Sequence, residues 1–422
     1  MATTYLTRTQ KAGNRQTFTQ SFWVKLSNTT DQGLISSFKD SNNYSYCYID
    51  SSTQQLQLQW KSGGSVVAQL NTNRVFRDTS GWYNIIYAVD TTKATGADRI
   101  KLYVNGVQET SFATATYPGQ ISSEVNDNGT TQYIGSVDGT QQYLNGSMSY
   151  VAQIDGTQEL PGIFGETDST TGEWKIKTTI TPSVGWGNNG FLILKNGNSV
   201  TDQSGSSNDF AYSGGTLTNT EDCPDNVFCV LNELDKNSNI TLGSGNTEYI
   251  ATNGWYNVRG SFFVSSGKYY WEMKKTTTSS TFTFIGAATS EPPLDFGYGG
   301  AQNGLFAYGA NNGNKIGQGT ASTAYGASFA TGDIMGIALD MDNGTITFYK
   351  NGATQGQAFS GITGDVAPWI TGYDNKNEYN FGNGTFGTTA VASPGTNASG
   401  NGIFEYDVPT GFTALSTKGL NL

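Results

Sequence analysis

Apolar and polar residues alternate with a period of two along much of the chain, as in Leu56–Trp60, Ile100–Val104 and Thr345–Tyr349. This period places every second side chain on the same face of a β-strand. No stretch sustains the apolar spacing of a helix. The pattern therefore predicts an almost entirely β protein whose strands each turn one face toward a core.

Asn-Gly pairs punctuate these strands at positions 105–106, 343–344 and 351–352. Both central residues of a type I′ hairpin turn need a positive φ, which asparagine and glycine tolerate best. Each pair is therefore predicted to close such a turn between antiparallel strands.

One strand pattern occurs twice. Trp82–Asp90 leads into Ile100–Gly106, and Ile334–Asp340 leads into Ile346–Gly352. Each copy consists of an apolar strand, an acidic turn and an alternating strand that ends on Asn-Gly, which is typical of one hairpin in a two-sheet sandwich. The repeat predicts two antiparallel β-sandwiches in series.

Composition and charge narrow the class of protein. The 422 residues are sufficient for two or three domains, and 54 Gly, 23 Tyr and 22 Phe are typical of an ordered β protein. A net charge of -11 repels phosphate backbones and anionic head groups, so neither nucleic acid nor a membrane is an expected partner. We also expect synthesis in the cytosol, because no apolar run resembles a signal or a membrane span.

The sequence contains no histidine. A Ser-His-Asp triad, a Cys-His pair and an ordinary zinc site are therefore excluded, and the Gly-rich stretches lack a phosphate-loop ending. Two carboxylates are sufficient for glycoside hydrolysis. Glu233 and Asp235 come closest to the alternating acids of sandwich-fold glycosidases, but no third acid completes the set. We expect a non-enzymatic protein with no catalytic residues and no cofactor.

Other polar and aromatic residues have plain structural interpretations. The three cysteines, Cys47, Cys223 and Cys229, are interpreted as free buried thiols, with a bridge between the last two left open. Asp90, Asp98 and Asp340 are expected to cap turns, and no metal site is predicted. The tryptophans of the strand patterns are assigned to the cores instead of to sugar-stacking platforms: Trp23, Trp60, Trp82, Trp255, Trp271 and Trp369.

Longer motifs carry a family resemblance. Residues 5–160 resemble the laminin-G-like, concanavalin-like jelly-roll module of marine bacteriophage structural proteins, through Tyr5–Thr9, Phe22–Lys25, Val75–Tyr83, Asp98–Gly106 and Ala115–Gly119. The resemblance continues through Phe164–Asp168, Asp202–Phe210 and Cys229–Asn232, although Asn232-Glu233-Leu234 stands where that family has Asn-Pro-Leu.

The next region, 250–385, resembles a SPRY domain through Val258–Gly260, Ser266–Glu272, Gly332–Asp340 and Ala367–Tyr373. The tail Phe404–Lys418 resembles the closing motif of the same phage proteins. The chain is accordingly divided into a jelly-roll domain (1–160), a connecting segment with short strands (161–249), a SPRY-like domain (250–385) and a C-terminal closing segment (386–422).

The resemblance implies a non-catalytic protein on the surface of a virion, made in the host cytoplasm. The resemblance also implies that it serves there as a capsid decoration or as a tail or capsid fibre. Its expected partners are further copies of itself, with trimers a common solution for such proteins, another virion protein, and host surface carbohydrate. A purely structural component and, less favoured, a polysaccharide depolymerase are the alternatives.

Aromatic residues in Gly-rich loops are the predicted ligand contacts. In SPRY domains, loops at one end of the sandwich form the binding surface. Tyr298, Tyr308 and Tyr325 lie among glycines, and Tyr373 and Asp374 follow a strand. Rings beside asparagine and aspartate suit a neutral glycan. The alternative is that these rings only pack the loops down.

Overall fold

The computed structural model describes residues 3–276, 282–295 and 302–421. Within them the chain is nearly all β, as predicted, and it forms two compact units. The first unit ends at Asn219 and the second begins at Thr220. None of the helices in these residues has the length and apolarity needed to cross a membrane.

The first unit consists of short to medium strands and one helical turn. In chain order these are β1 (Tyr5–Thr9), β2 (Thr17–Leu26), β3 (Gln32–Asp40), β4 (Asn43–Ile49), β5 (Gln55–Ser62), β6 (Ser65–Val75), β7 (Tyr83–Asp90), α1 (Gly96–Arg99), β8 (Ile100–Val104), β9 (Val107–Gln108), β10 (Phe112–Thr116), β11 (Thr131–Ile134), β12 (Gly146–Asp155), β13 (Gly165–Thr167), β14 (Trp174–Ile176), β15 (Phe191–Ile193) and β16 (Ala211–Ser213). A 3₁₀ turn covers Pro161–Ile163.

Two sheets enclose the core of this unit. An eight-stranded sheet has the order β10-β6-β5-β4-β3-β11-β1-β16, and a six-stranded sheet has the order β15-β12-β2-β7-β8-β9. Alternate residues of both sheets meet in one apolar cluster, to which β5 contributes Leu58 and Trp60 and β7 contributes Ile85 and Tyr87. The predicted sandwich is therefore confirmed, and the other face of the eight-stranded sheet is left outside the core.

Residues 161–219, which the sequence analysis assigns to a connecting segment, are integral to the first unit. Strands β15 and β16 each add an edge to one of its sheets. Phe164 and Trp186 pack on the outer face of the six-stranded sheet. The indole N–H of Trp174 donates to Asn84 Oδ1 at 3.0 Å. The apolar residues of this segment complete the first sandwich instead of forming a spacer.

The second unit has longer strands. They are β17 (Leu231–Lys236), β18 (Ile240–Gly243), β19 (Glu248–Gly260), β20 (Lys268–Lys275), β21 (Thr283–Ala288), β22 (Leu305–Gly309), β23 (Asn314–Gly317), β24 (Thr320–Ala324), β25 (Ile334–Asp340), β26 (Thr345–Lys350), β27 (Ala353–Phe359), β28 (Ala367–Asn380), β29 (Thr385–Phe386), β30 (Thr389–Ala390) and β31 (Thr413–Ala414). Further 3₁₀ turns cover Ser244–Asn246 and Gly419–Asn421.

Strand β28 organises this unit. Its first half pairs with β21 and its second half pairs with β20, while β19 runs along both halves. The strands enclose a core that includes Trp271, Ile285, Ile337 and Ile370. The predicted strand repeat is confirmed in both units. Strand β25 pairs with β26 in the second unit in the same way that β7 pairs with β8 in the first.

The C-terminal closing segment is part of the second unit. Phe404 and Val408 pack against Phe228 and Tyr270 on the outer face of β20. Strand β31 pairs in parallel with β20 at Tyr269 and Tyr270. The segment thus covers a sheet face that would otherwise expose aromatic rings.

Two of the three predicted hairpin turns are confirmed. Asn105 and Asn351 have φ of 48° and 49°, and the glycine after each is also positive. The type I′ prediction at Asn343–Gly344 is wrong, because only Gly344 has a positive φ. Asp340 Oδ1 instead accepts the Asn343 N–H at 3.0 Å. The strands are therefore joined by a loop over residues 341–344 that the Asp340 side chain caps, and not by a two-residue turn.

The cysteines are all free. Cys47 and Cys229 are buried as expected, and Cys223 is only half-buried. Burial raises the pKa of the Cys47 thiol well above its usual range.

Candidate functional site

The predicted SPRY-region residues do not form one site. Tyr298 lies outside the described residues. The placement of Tyr308 in a loop is wrong, because it lies in β22 with its ring 0% exposed. Its hydroxyl donates to the backbone carbonyl of Ala327, and burial raises its pKa to about 12. Tyr308 is a core residue that presents no surface to a ligand.

Tyr325 follows β24 and is half-buried. Its ring meets that of Tyr308 edge-on, with centroids 5.1 Å apart, and its hydroxyl donates to the backbone carbonyl of Gly356. Burial raises its pKa to about 12. These contacts favour the interpretation that Tyr325 packs its loop.

Tyr373 and Asp374 lie within the long strand β28, not after a strand. Tyr373 is 42% exposed, and its ring centroid is 6.0 Å from that of Trp255. The ring centroid of Phe282, which is 39% exposed, is 5.7 Å from that of Trp255. Asp374 has a φ of 49°, which marks a local irregularity in the strand. A ligand role for Tyr373 and Asp374 stays a prediction.

This cluster also corrects one tryptophan assignment. Trp255 is half-buried and packs on the outer face of a sheet. The other five tryptophans are buried as expected, with exposures of 8% or less at Trp23, Trp60, Trp82, Trp271 and Trp369. Trp369 is buried within the same small cluster on which Trp255 packs.

The acidic residues singled out in the sequence have structural partners. Glu233 lies 3.3 Å from Lys236 Nζ, and Asp235 lies 2.8 Å from Arg259 Nη1. Glu233 and Asp235, the two acids that come closest to a glycosidase motif, are therefore each paired with a cation.

Turn capping is seen at two of the three predicted aspartates. Asp90 and Asp340 accept hydrogen bonds from residues two or three positions later. Asp98 lies instead in the single turn of α1 and pairs with Lys101 at 3.4 Å. In the part of the chain that the structure describes, no three carboxylates or thiols come together as a metal-binding group.

A polar aromatic surface lies on the outer face of the eight-stranded sheet. It consists of side chains from three neighbouring strands, β4, β5 and β6, and we call it the tyrosine–amide face: Tyr44, Tyr46, Tyr48, Gln57, Gln59, Gln69 and Asn71. The alternate residues of the same strands, among them Cys47 and Leu58, enter the core. Period two therefore separates an apolar inner face from a polar outer face.

Strand register aligns this face into rows. Tyr46, Gln59 and Gln69 lie opposite one another across the three strands. Tyr48, opposite Gln57, begins a second row, which Asn71 completes on β6. With strands ~4.8 Å apart and same-face residues ~6.8 Å apart along each strand, the face covers roughly 10 Å by 14 Å.

Hydrogen bonds hold the side chains of this face in place. Gln59 Oε1 accepts the hydroxyls of Tyr44 at 2.7 Å and Tyr46 at 2.8 Å. Gln59 Nε2 donates to Gln69 Oε1 at 3.4 Å, and Gln69 Nε2 donates to Asn71 Oδ1 at 3.2 Å. The chain of bonds fixes which atoms of each amide face outward, and each tyrosine oxygen keeps acceptor capacity for a ligand.

The aromatic rings form a short stack. Tyr44 and Tyr46 have centroids 4.8 Å apart at an interplanar angle of 11°, and Phe38 extends the stack beyond Tyr44 at 6.1 Å. Rings that stack on one another along a strand direct mainly their edges outward, and the hydroxyls of Tyr44 and Tyr46 converge on Gln59. Burial, together with the adjacent Tyr44, raises the pKa of Tyr46 well above its usual value, so its hydroxyl stays a donor.

A shallow groove of about 500 Å³ extends the same sheet face toward β1. Thr7, Thr9 and Thr131 line it, with Phe210 at one side. Arg8 lies beneath, where its guanidinium donates to Gln132 Oε1 at 2.7 Å and burial lowers its pKa to about 10. Lys11 and Asp209 also line the groove, so it carries charged side chains that the tyrosine–amide face lacks.

Sequence reasoning missed the tyrosine–amide face although its signal is present. Tyrosines at 44, 46 and 48 and glutamines at 55, 57 and 59 occupy every second position of two successive strands. The apolar residues between them predict the core-facing side of these strands, and the polar residues define the opposite face.

Comparison with known families agrees with both sandwiches. Residues 1–157 match the Concanavalin A-like lectin/glucanases superfamily (Laminin_G_3), and residues 268–384 match the SPRY domain. The chain therefore carries a laminin-G-like, concanavalin-like domain followed by a SPRY domain.

Individual relatives and solved structures each cover about a third of the chain. The ATP-dependent RNA helicase DDX1 of Xenopus laevis is 28% identical over 131 residues, which are 31% of this chain and 17% of that protein. The SPRY domain of human HERC1 is 24% identical, covering 35% of this chain and 96% of that one with a TM-score of 0.32. The TRIM65 PSpry domain is 15% identical, covering 36% and 89% with a TM-score of 0.30.

Proposed function

We propose that this protein is a non-enzymatic adhesion protein on the surface of a bacteriophage particle, and that the tyrosine–amide face binds neutral carbohydrate of the host surface. The observation that carries the proposal is the pre-ordered network of hydroxyls and amides on the outer face of one sheet, where Tyr48 and Gln57 are buried and the other five side chains are half-buried. A sugar presents many hydroxyls, each of which is both a hydrogen-bond donor and an acceptor. The network offers both kinds of partner, and binding has a smaller entropic cost because its side chains are already ordered.

Charge favours a neutral glycan. None of the seven side chains of the face is ionised at neutral pH, and Lys61, opposite Tyr44, is a cation at its margin. The whole chain has a net charge of -11, which opposes the approach of a polyanionic polymer.

The expected affinity of one site is modest, because the face is open and its rings expose mainly edges. Display in many copies would compensate, since linked weak sites gain avidity without new contacts. Placement on a virion is supported by the resemblance of residues 5–160 and of the tail Phe404–Lys418 to phage structural proteins. Assembly into homo-oligomers and attachment to another virion protein belong to the same proposal.

The non-enzymatic part of the proposal is supported by the partners of the carboxylates. Glu233 and Asp235 are each paired with a cation. Reducing-sugar release from an envelope glycan would contradict this part and support a depolymerase.

The experiment is a glycan array of bacterial envelope polysaccharides probed with the full-length protein and two variants. Gln59→Ala removes the shared acceptor of two tyrosines, and we expect binding to fall on the order of tenfold, equivalent to about 1.4 kcal/mol. Tyr373→Ala removes the competing candidate contact in the second unit and, on this proposal, should leave binding unchanged. If only Tyr373→Ala lost binding, the carbohydrate-binding site would be assigned to the SPRY domain and the proposal for the tyrosine–amide face would be wrong.

Particle location is tested separately by immuno-electron microscopy of purified particles. Label on the capsid or tail supports the proposed place. Label on particles together with no binding to any glycan would favour the purely structural alternative.

A further inference from the structure

A buried amine and a buried amide meet where β20, β21 and β28 adjoin. Lys275 ends β20 and is 2% exposed, and Asn375 lies in β28 and is 4% exposed. Lys275 Nζ is 3.3 Å from Asn375 Oδ1. The amide carbon is one carbonyl bond, about 1.2 Å, from that oxygen. A primary amine is therefore held beside an amide carbon away from water.

Thr283, 0% exposed, touches both reacting groups. Its Oγ1 lies 3.0 Å from Lys275 Nζ and 2.7 Å from Asn375 Nδ2. One hydroxyl thus bridges the nucleophile and the nitrogen that would leave. Such a hydroxyl can accept a proton from one nitrogen while it gives its own to the other.

The amide of Asn375 is oriented and polarised by its neighbours. Its Nδ2 also donates to the Phe282 carbonyl at 2.7 Å, which fixes Oδ1 on the side of the lysine. Asn377 Nδ2 donates to Oδ1 at 3.0 Å. A donor at this oxygen stabilises the negative charge that develops there when the carbon is attacked.

Burial also favours the reactive form of the amine. Desolvation lowers the pKa of Lys275 to about 8, so about a tenth of the amine is unprotonated at pH 7. This fraction is sufficient for a slow reaction that cannot reverse once its product leaves.

We propose that Lys275 and Asn375 are a self-modification site that forms an intramolecular isopeptide bond. Lys275 Nζ attacks Asn375 Cγ, and the carbonyl π electrons move to Oδ1, which Asn377 stabilises. Thr283 relays one proton from Nζ to Nδ2. The carbonyl re-forms, the Cγ–Nδ2 bond breaks, and one ammonia leaves, with no oxidant or other reactant required.

The bond would join β20 covalently to β28, the strand that pairs with β19, β20 and β21. Strands so tied cannot separate when the chain is pulled. The inference does not depend on carbohydrate binding, and either proposal can fail without the other.

The first experiment is the intact mass of the full-length protein after incubation at pH 8. We expect a mass lower than that of the sequence by one ammonia. Proteolysis and fragmentation should then yield a branched peptide joining Lys275 to Asn375. Full sequence mass, or ammonia loss located at another asparagine, overturns the proposal.

Variants separate the reaction from folding. Lys275→Arg should have the full mass of its sequence, whereas Lys274→Arg, the matched control on the adjacent residue, should still lose ammonia. Thr283→Val should slow the loss at least tenfold, and Thr283→Ser should restore it. Equal rates in Thr283→Val and the wild type would remove Thr283 from the reaction.

Discussion

Glu272 is a buried carboxylate that holds the C-terminal closing segment against β20. It is 0% exposed and accepts the backbone N–H groups of Glu405 and Tyr406, each at 2.9 Å. Asn380 Nδ2 and the Tyr270 hydroxyl donate to it at 3.3 Å. Its protonation should therefore affect the stability of the second unit.

Burial raises the pKa of Glu272 from 4.5 to about 7, against the opposing effect of its four donors. The folded state holds this proton more tightly than the unfolded chain, so folding takes up a proton between these pH values. The contribution to stability is complete below pH 4.5 and is lost as the pH rises through about 7. At about 1.4 kcal/mol for each tenfold change in proton affinity, the loss is about 3 kcal/mol.

Glu272→Gln has nearly the same shape and no charge at any pH, but its Nε2 cannot accept the two donors that one carboxylate oxygen accepts, which costs the same stability at every pH. We therefore expect its unfolding free energy, relative to the wild type, to rise by about 2–3 kcal/mol between pH 5 and pH 8. Hydrogen exchange of the intact chain, read by mass spectrometry at peptides of the second unit, measures this difference. Glu291→Gln is the control for the same loss of charge at an exposed position.

The reasoning is refuted if the stability of Glu272→Gln relative to the wild type falls between pH 5 and pH 8. That result would mean that the four donors outweigh desolvation and that the carboxylate is stabilised in its charged form.

Three further predictions concern the backbone and the thiols. Gly317→Ala should destabilise the second unit by at least ~2 kcal/mol in thermal unfolding, because φ is 146° and a Cβ would overlap a carbonyl oxygen of β22. Asn105→Ala should cost about 1 kcal/mol in urea unfolding, because it places alanine at a φ of 48° and removes the Oδ1 that accepts a neighbouring N–H. A thiol reagent should label Cys223 in the folded protein and leave Cys47 and Cys229 unlabelled until urea is added.

The sandwich architecture was predictable because its signals are local. Period-two alternation and the strand–turn–strand repeat ending on Asn-Gly depend on neighbouring residues, and both strand pairs formed as predicted, although the turn at Asn343–Gly344 is not type I′. The assignment of residues 161–219 depends on distant contacts, such as that of Trp174 with Asn84, which no local pattern reports.

Glycine misled the prediction for Tyr308. Neighbouring glycines suggested a loop, but Gly309 lies in β22. Glycine is needed there because a Cβ would come 2.5 Å from the Phe284 ring. Glycine serves packing at that position instead of turning the chain. Trp255 was missed for a related reason, since the sequence does not reveal which face of β19 is turned to the core.

Hydroxyl-radical footprinting of tyrosines, with and without a bound envelope glycan, tests the carbohydrate-binding site most directly. The account predicts that the glycan lowers oxidation of Tyr44 and Tyr46 and leaves Tyr373 unchanged. Unchanged oxidation of Tyr44 and Tyr46 in the presence of a glycan that binds would contradict it.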